Sequence, residues 1–514
     1  MRIQRRIVIG LCAVALAACS QPTSRPAFRA DPDDVRAHLD ALTAAELLGA
    51  GIGSPGEAAA MKYAADAFRA SGLKTSTQAI PYVKIGARTS QMTLGGGSWT
   101  RTLVAGTDYV AWTRRPEAAV SVEAPIIFAG FGIVAPEFKW DDYKNTDVTG
   151  KVVLILDDVP RNGEHDLLGT LGETYYGRAL YKFEEAARHG AAAVFIIHED
   201  APASDTWEEI RDSVAGEILS VDSPRSNLAS ITPIEGWLTG AAAAGLFQSA
   251  GLDFVHSKQL SHETNFTAEA LPAKASVTVT GTLSRVQSDN VIGVVEGQTS
   301  EYVLVTSRWN RLGAAAGAGA AMNRPDDASG AAVMLEAAKA LAQGPPPRRT
   351  IIFLVTTAHE DGLIGLKYYA EHPIFPMGRT VAHVHFDSAD LHGEHVTLKT
   401  IGPIFRGLST ILKEAASGQG RLIQTEHDPD LLFYFRLSAT AFAEQGIPEV
   451  DITTMRAMSM PSAPRPAPVG PPPPFDSEGS VRDADLLFNF VLAVSNASNW
   501  PTLRRPGSAA EKMH

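Results

Sequence analysis

Three apolar runs in the second half of this 514-residue chain lead into residues able to do chemistry. Val303-Leu304-Val305 runs into Ser307-Arg308-Trp309-Asn310-Arg311. Ile351 to Val355 runs into Ala358-His359-Glu360-Asp361, and Val384 runs into His385-Phe386-Asp387. Between them, Ala328 to Ala342 is an Ala-rich helical stretch. Such strands alternating with helices predict an α/β fold, a mostly parallel sheet flanked by helices. In open sheets of this kind ligands bind at the carboxyl ends of the strands, which is where these polar residues fall. An imidazole can move a proton near neutral pH. Carboxylates at such ends suit a hard cation, and if crowded without one they raise one another's pKa. Arg308 has no lone pair for a metal but can meet a carboxylate through a two-pronged contact. His385 and Asp387, two apart on a strand, share a face.

The same segments resemble the zinc-site motifs of the M28 family of metallopeptidases. Ser307-Arg308-Trp309-Asn310-Arg311-Leu312-Gly313 resembles A-H-W-D-H-L-G, and Pro325-Asp326-Asp327-Ala328-Ser329-Gly330 resembles D-D-N-A-S-G. Ala358-His359-Glu360-Asp361-Gly362-Leu363-Ile364-Gly365 resembles A-E-E-x-G-L-L-G, and His385-Phe386-Asp387 resembles N-x-D. The resemblance implies a zinc aminopeptidase-like fold and metal-dependent hydrolysis of peptide N-termini. It places Asp326, Glu360 and Asp387 at retained metal-ligand positions, Asp326 being the bridge, and His359 at the general-base position. Asp326 also suits the cap of a helix expected to begin near Ala328. The first histidine position of the family is Arg308. The late one falls at about Pro472, and no histidine lies between Asp451 and Phe475. His383, His392 and His395 match no motif and read as surface or packing residues.

Three acids without histidine are oxygen-only donors, away from the mixed set zinc prefers. The expectation is therefore zinc that is absent or substoichiometric, with Arg308 supplying the missing positive charge. The expected function is that of a non-catalytic pseudo-peptidase binding a peptide or protein. The alternatives are an active metallo-aminopeptidase with a rebuilt or single-metal site and a structural lipoprotein whose cleft has closed.

Gly130-Phe131-Gly132-Ile133, Trp140-Asp141-Asp142-Tyr143 and Asp147-Val148-Thr149-Gly150-Lys151-Val152-Val153 resemble the protease-associated domain inserted in larger M28 enzymes. That resemblance implies a small β-rich lid. The organisation expected is a signal peptide at 1–18, a tether at 19–30, a peptidase-like part at 31–118, the insert at 119–274, a second peptidase-like part at 275–504 and a tail at 505–514. Asp31 and Pro32 form a helix start. Arg2, Arg5 and Arg6 precede an apolar stretch ending in Leu16-Ala17-Ala18-Cys19, which resembles a bacterial lipoprotein signal. It implies lipid on Cys19 and a place in the cell envelope, on the periplasmic face of the outer membrane or the cell surface. Cys12 and Cys19 are the only cysteines, so the mature chain can hold no internal disulfide. A net charge of −12 with no basic stripe argues against a nucleic-acid partner.

Overall fold

The computed structural model describes residues 28–44, 47, 51–162, 165–168, 176–199, 206–222, 231–309, 325–359, 362–389, 391, 397–401, 406–426, 442, 445–454 and 477–501. Cys19, Glu360, His392, His395 and Pro472 lie outside them, and the side chain of Asp326 is not described.

Helix α1 (Pro32–Leu42) starts as the sequence suggests: the Asp31 side chain accepts the Asp33 N–H, and Pro32 sits where no amide is needed. Helix α2 (Pro55–Ala70) is capped by Ser54 and released by Gly72 at φ +84°. Strand β1 (Lys74–Gly96) then pairs antiparallel with β8 (Glu269–Val295) from Lys74–Val294 to Gly95–Lys274.

β8 joins two blocks of strands. On one side lie β10 (Thr350–Thr356), β9 (Tyr302–Arg308), β11 (Thr380–Ser388), β14 (Glu449–Thr453), β12 (Thr397–Ile401) and β13 (Leu422–Glu426), in that spatial order. Here β9 runs parallel to β10 and β11, and β11 parallel to β14. On the other side lie β3 (Ala119–Phe128), β4 (Val152–Leu156), β5 (Ala193–His198), β7 (Ile234–Thr239) and β2 (Tyr109–Trp112). The first four of these are parallel neighbours and β2 is antiparallel. A short strand, β6 (Ile218–Val221), returns to pair with β1 at Tyr82–Ile85.

Alternation along the strands sends apolar side chains to both faces. Val303 and Val305 of β9 and Ile351, Phe353 and Val355 of β10 pack with α1, α2, α5 (Pro325–Ala342) and α7 (Ser477–Asn496). Leu304, Ile352 and Leu354 face the opposite layer, under α6 (Ile364–Glu371). Helix α5 buries a run of alanines together with Val333, Met334, Leu335 and Leu341 against this layer. It begins at Pro325, three residues earlier than the sequence suggested, so Asp326 is inside the first turn instead of at the cap.

The 119–274 segment repeats this layering on a smaller scale. Helix α3 (Ala179–Arg188) covers one face through Phe183 and Ala186, and α4 (Gly240–Ser249) covers the other through Leu246 and Phe247. The expected β-rich lid is thus itself an α/β layer. The pattern was obscured because α4 follows directly on β7 with no break in apolar content. β8 also runs unbroken through residues 274 and 275, where a change of unit was expected, so both halves share one sheet. Among the described residues no helix is long and apolar enough to cross a membrane.

Candidate active-site cleft

The end of β9 delivers Thr306, Ser307 and Arg308, and the end of β11 delivers His385, Asp387 and Ser388 beside them. Two glycines and one serine fix what lies above. Ser329 Oγ accepts the Ala389 N–H at 2.8 Å, which ties the first turns of α5 to the end of β11. A side chain at Gly330 would come within 2.3 Å of the Asp387 carbonyl, so only glycine allows this approach. The Ser329-Gly330 pair thereby brings the helix turn that carries Asp326 to the end of β11. Gly365 is required in the same way against the Thr357 carbonyl, at 2.3 Å.

His359 follows Ala358, which is buried and held at φ +51°, a left-handed conformation costly for a residue with a Cβ. The turn is closed by Leu363 N–H to the His359 carbonyl at 2.9 Å and Ile364 N–H to the Ala358 carbonyl at 3.1 Å. It is anchored from below by Glu57 of α2, a buried carboxylate. Glu57 accepts the Gly53 N–H at 2.7 Å, the Ser288 hydroxyl at 2.6 Å and the Thr357 hydroxyl at 2.5 Å. Buried Asn290 adds a second anchor, accepting the Thr357 N–H at 3.2 Å and donating to the Gly365 carbonyl at 2.8 Å. Ala358 packs with Ile52, Ile80 and Tyr82, and Leu219 of β6 packs against this cluster. The 119–274 segment therefore reaches the apolar cluster that contains Ala358.

At the centre, Arg308 Nε donates to Asp387 Oδ1 at 2.8 Å and its Nη2 to Oδ2 at 3.4 Å, both side chains buried. The Ser388 hydroxyl donates to Oδ2 at 2.6 Å. Burial alone would raise the Asp387 carboxyl; the guanidinium of Arg308, aided by His385 and His359, outweighs it and holds the carboxyl well below its usual range. The His359 and His385 rings stack at 5.7 Å and 8°. His385 Nε2 is 3.8 Å from Asp387 Oδ1 and 3.9 Å from Asp451 Oδ1. His359, His385 and Asp387 each offer a donor atom within 4.8 Å of the others, a set able to hold one ion.

Arg308, His359 and Asp387 thus converge. His385 joins them from the face it shares with Asp387. His383, read from sequence as a surface or packing residue, is fully buried in a polar row. Its Nε2 lies 2.8 Å from the Thr306 hydroxyl and its Nδ1 3.7 Å from Glu449 Oε2. Sequence reasoning also missed Glu57, Glu449 and Asp451. The alternation Glu449-Val450-Asp451-Ile452 was the available signal for the last two: acids every second residue in an otherwise apolar strand.

Comparison with known proteins fits this geometry. Residues 290–476 match the model of peptidase family M28. The chain is similar in structure to an aminopeptidase from Aneurinibacillus sp. strain AM-1, with 21% identity, a TM-score of 0.50, and coverage of 92% of this chain and 96% of that one. It is also similar to BSAP, a zinc aminopeptidase from Bacillus subtilis, with 17% identity, a TM-score of 0.43 and coverage of 92% and 97%. A peptidase M28 precursor from Shewanella amazonensis SB2B gives 15% identity, a TM-score of 0.40 and coverage of 92% and 99%. No curated protein matches. At these identities the likeness is one of fold, so the chain has the mixed α/β fold of an aminopeptidase, and its residues 290–476 carry the pattern of peptidase family M28.

Proposed function

We propose that this chain is a pseudo-peptidase of the bacterial cell envelope, binding a peptide or protein segment on an M28-type cleft without cleaving it. The observation that carries this reading is the buried Arg308–Asp387 pair. A guanidinium has no lone pair to give a metal, and here it stands on the carboxylate of a ligand position. The described donors fit two zinc ions poorly, because a two-metal site needs a donor set for each metal and Arg308 stands at one of its places. No hydrolytic step is therefore assigned to zinc. The segment 119–274, resembling a protease-associated domain, would limit access to the cleft, and its contact through Leu219 supports that role. Lipid on Cys19 would hold the protein at the membrane.

The test is metal analysis of protein made in zinc-supplemented medium, with aminopeptidase assays and peptide titration on the same sample. Expected are well under one zinc per chain, no turnover, and saturable peptide binding. Two zinc ions per chain with chelator-sensitive hydrolysis would refute the proposal. For the anchor, Cys19→Ala should move the protein from the membrane pellet to the soluble fraction.

One observation favours a second reading, a single-metal hydrolase. His359, His385 and Asp387 form a compact two-histidine, one-carboxylate set. An ion there would compete with Arg308 for Asp387 Oδ1. In that case one metal per chain should be found, and it should be lost in both His359→Ala and His385→Ala.

A further inference from the structure

Strand β1 pairs with β8 along one side, and part of its other side is open. β6 covers that outer side at Tyr82–Ile85, and the Asp222 N–H extends the pairing to the Pro81 carbonyl at 2.9 Å. Backbone groups along a strand point to alternate sides. The amides and carbonyls of Thr75, Thr77 and Ala79 therefore point outward, as the Pro81 carbonyl does. Among the described residues no strand meets them, and Thr77 and Ala79 are exposed. Pro81 agrees with this direction, since its missing N–H falls on the outer side and takes no bond from β8. The edge can thus accept another short strand, as it already accepts β6.

A cavity of about 260 Å³ adjoins this edge. Thr77 of β1 and Asp289 of β8 line it from the sheet, and Ala58, Met61 and Ala65 line it from α2. Asp289 pairs directly with Ala79, so their side chains share one face, on which Thr77 also lies. The two cations of the lining, Lys62 and Arg69, are both drawn to Asp66. Asp289 has no hydrogen bond or ion pair among the described residues, and burial alone pushes its carboxyl up. Glu57 also lines the cavity and accepts from three neutral donors. Two carboxylates of the lining thus lack a counter-ion among the described residues. A strand added beside Ala79 would stand two strand spacings from Asp289, about 10 Å. That is within reach of a lysine or arginine whose alkyl stem lies along the apolar wall of α2.

We propose that the edge from Thr75 to Ala79 docks an extended segment of a partner protein, with a lysine or arginine of that segment meeting Asp289 in the cavity. Backbone bonds along the edge supply the affinity, and the acid selects the side chain. A second copy of this chain pairing through the same edge does not fit, because its own Thr75, Thr77 and Ala79 bring no cation to Asp289. The surface is separate from the cleft, and the proposal stands whether or not the cleft is catalytic.

The test uses the full-length protein and two peptides blocked at both ends, one alternating threonine with lysine and the other threonine with glutamate. Blocked ends keep recognition of a free peptide terminus in the cleft out of the measurement. Calorimetric titration should show saturable binding of the lysine peptide, about tenfold or more tighter than the glutamate peptide. Bound lysine peptide should slow hydrogen exchange at Thr75, Thr77 and Ala79 and leave Leu363 and Ile364, in the turn around His359, as they were. The net charge of −12 favours any cationic peptide, so Asp289→Asn is the discriminating variant. It should weaken the lysine peptide about tenfold and the glutamate peptide not at all. Ala79→Pro removes one outward N–H, as Pro81 does, and should weaken both peptides. Absence of lysine-peptide binding overturns the proposal, as does slowed exchange confined to the His359 turn. So does an unchanged lysine-peptide affinity in Asp289→Asn, which removes only an unpaired charge and decides even if Ala79→Pro fails to fold.

Discussion

Both halves of the shared sheet bury a cation near the carboxyl ends of their parallel strands, and they satisfy it differently. In the 119–274 half, Lys182 donates to the carbonyls of Phe131 at 2.7 Å, Leu156 at 2.9 Å and Asp158 at 2.8 Å. Burial lowers its pKa to about 8, so at neutral pH it stays charged and its three hydrogens close the strand ends onto backbone. In the other half, Arg308 closes onto a side-chain carboxylate, with His359 and His385 beside it. A cation satisfied by backbone is a structural plug, since nothing can take its place without breaking strands. A cation satisfied by a carboxylate can be displaced by a ligand or another ion. The difference makes the Arg308–Asp387 pair the more easily displaced of these two arrangements.

Breaking the second arrangement should have the largest effect. Arg308→Ala strands the Asp387 charge, and removing one partner of a buried pair costs on the order of 3–5 kcal/mol. Denaturant unfolding near neutral pH measures it. The pH dependence sharpens the point. Folded Asp387 titrates well below its ordinary value, so its stabilising contribution is present above the unfolded carboxyl value. It is lost only as pH falls through the lower, folded one. In Arg308→Ala the loss should begin at higher pH. A variant as stable as wild type, with the same acid limb, would mean that Arg308 does not hold the Asp387 charge.

Breaking the first arrangement should be somewhat milder and should spare the cleft. Lys182→Met leaves three carbonyls without their donor, a loss of roughly 3 kcal/mol after relaxation. Peptide affinity in the surviving folded protein should not change. A fall in peptide affinity would show that the two halves do not divide the roles as argued.

How much of this could be read beforehand depends on how local each feature is. Asp31 with Pro32 and the apolar runs leading to Arg308, His359 and Asp387 carry their structural meaning within a few residues. They were legible for that reason. The counter-charge reading of Arg308 followed from the chemistry of three acids near one strand end, and the structure places it on Asp387. Asp326 and Glu360 have no described side chains against which to read it. The polar row was not legible, because Glu449 meets His383 only through the register of β14 against β11, which no short motif encodes. Nor could the unbroken course of β8 be seen, since its exposed and buried residues alternate across the expected boundary with no change at residue 274.

Glu57 is the clearest case of a residue invisible in sequence, and it supports the smallest of these effects. It lies in the N-terminal helix α2, yet it grips Ser288 and Thr357, which are 231 and 300 residues away. The strained Ala358 backbone next to Thr357 persists only if its surroundings hold it. Glu57→Gln keeps the size and one acceptor oxygen but replaces a charged acceptor with a neutral amide. The cost should be about 1–2 kcal/mol. The local signature matters more than the total. Hydrogen exchange should quicken at the amides of Leu363 and Ile364, which close the turn around His359, and should stay as in wild type at Lys182 and along β5. If those two amides exchange at the wild-type rate while global stability falls, Glu57 serves the packing of α2 alone, and the turn carrying His359 is held by Asn290 and Gly365 without it.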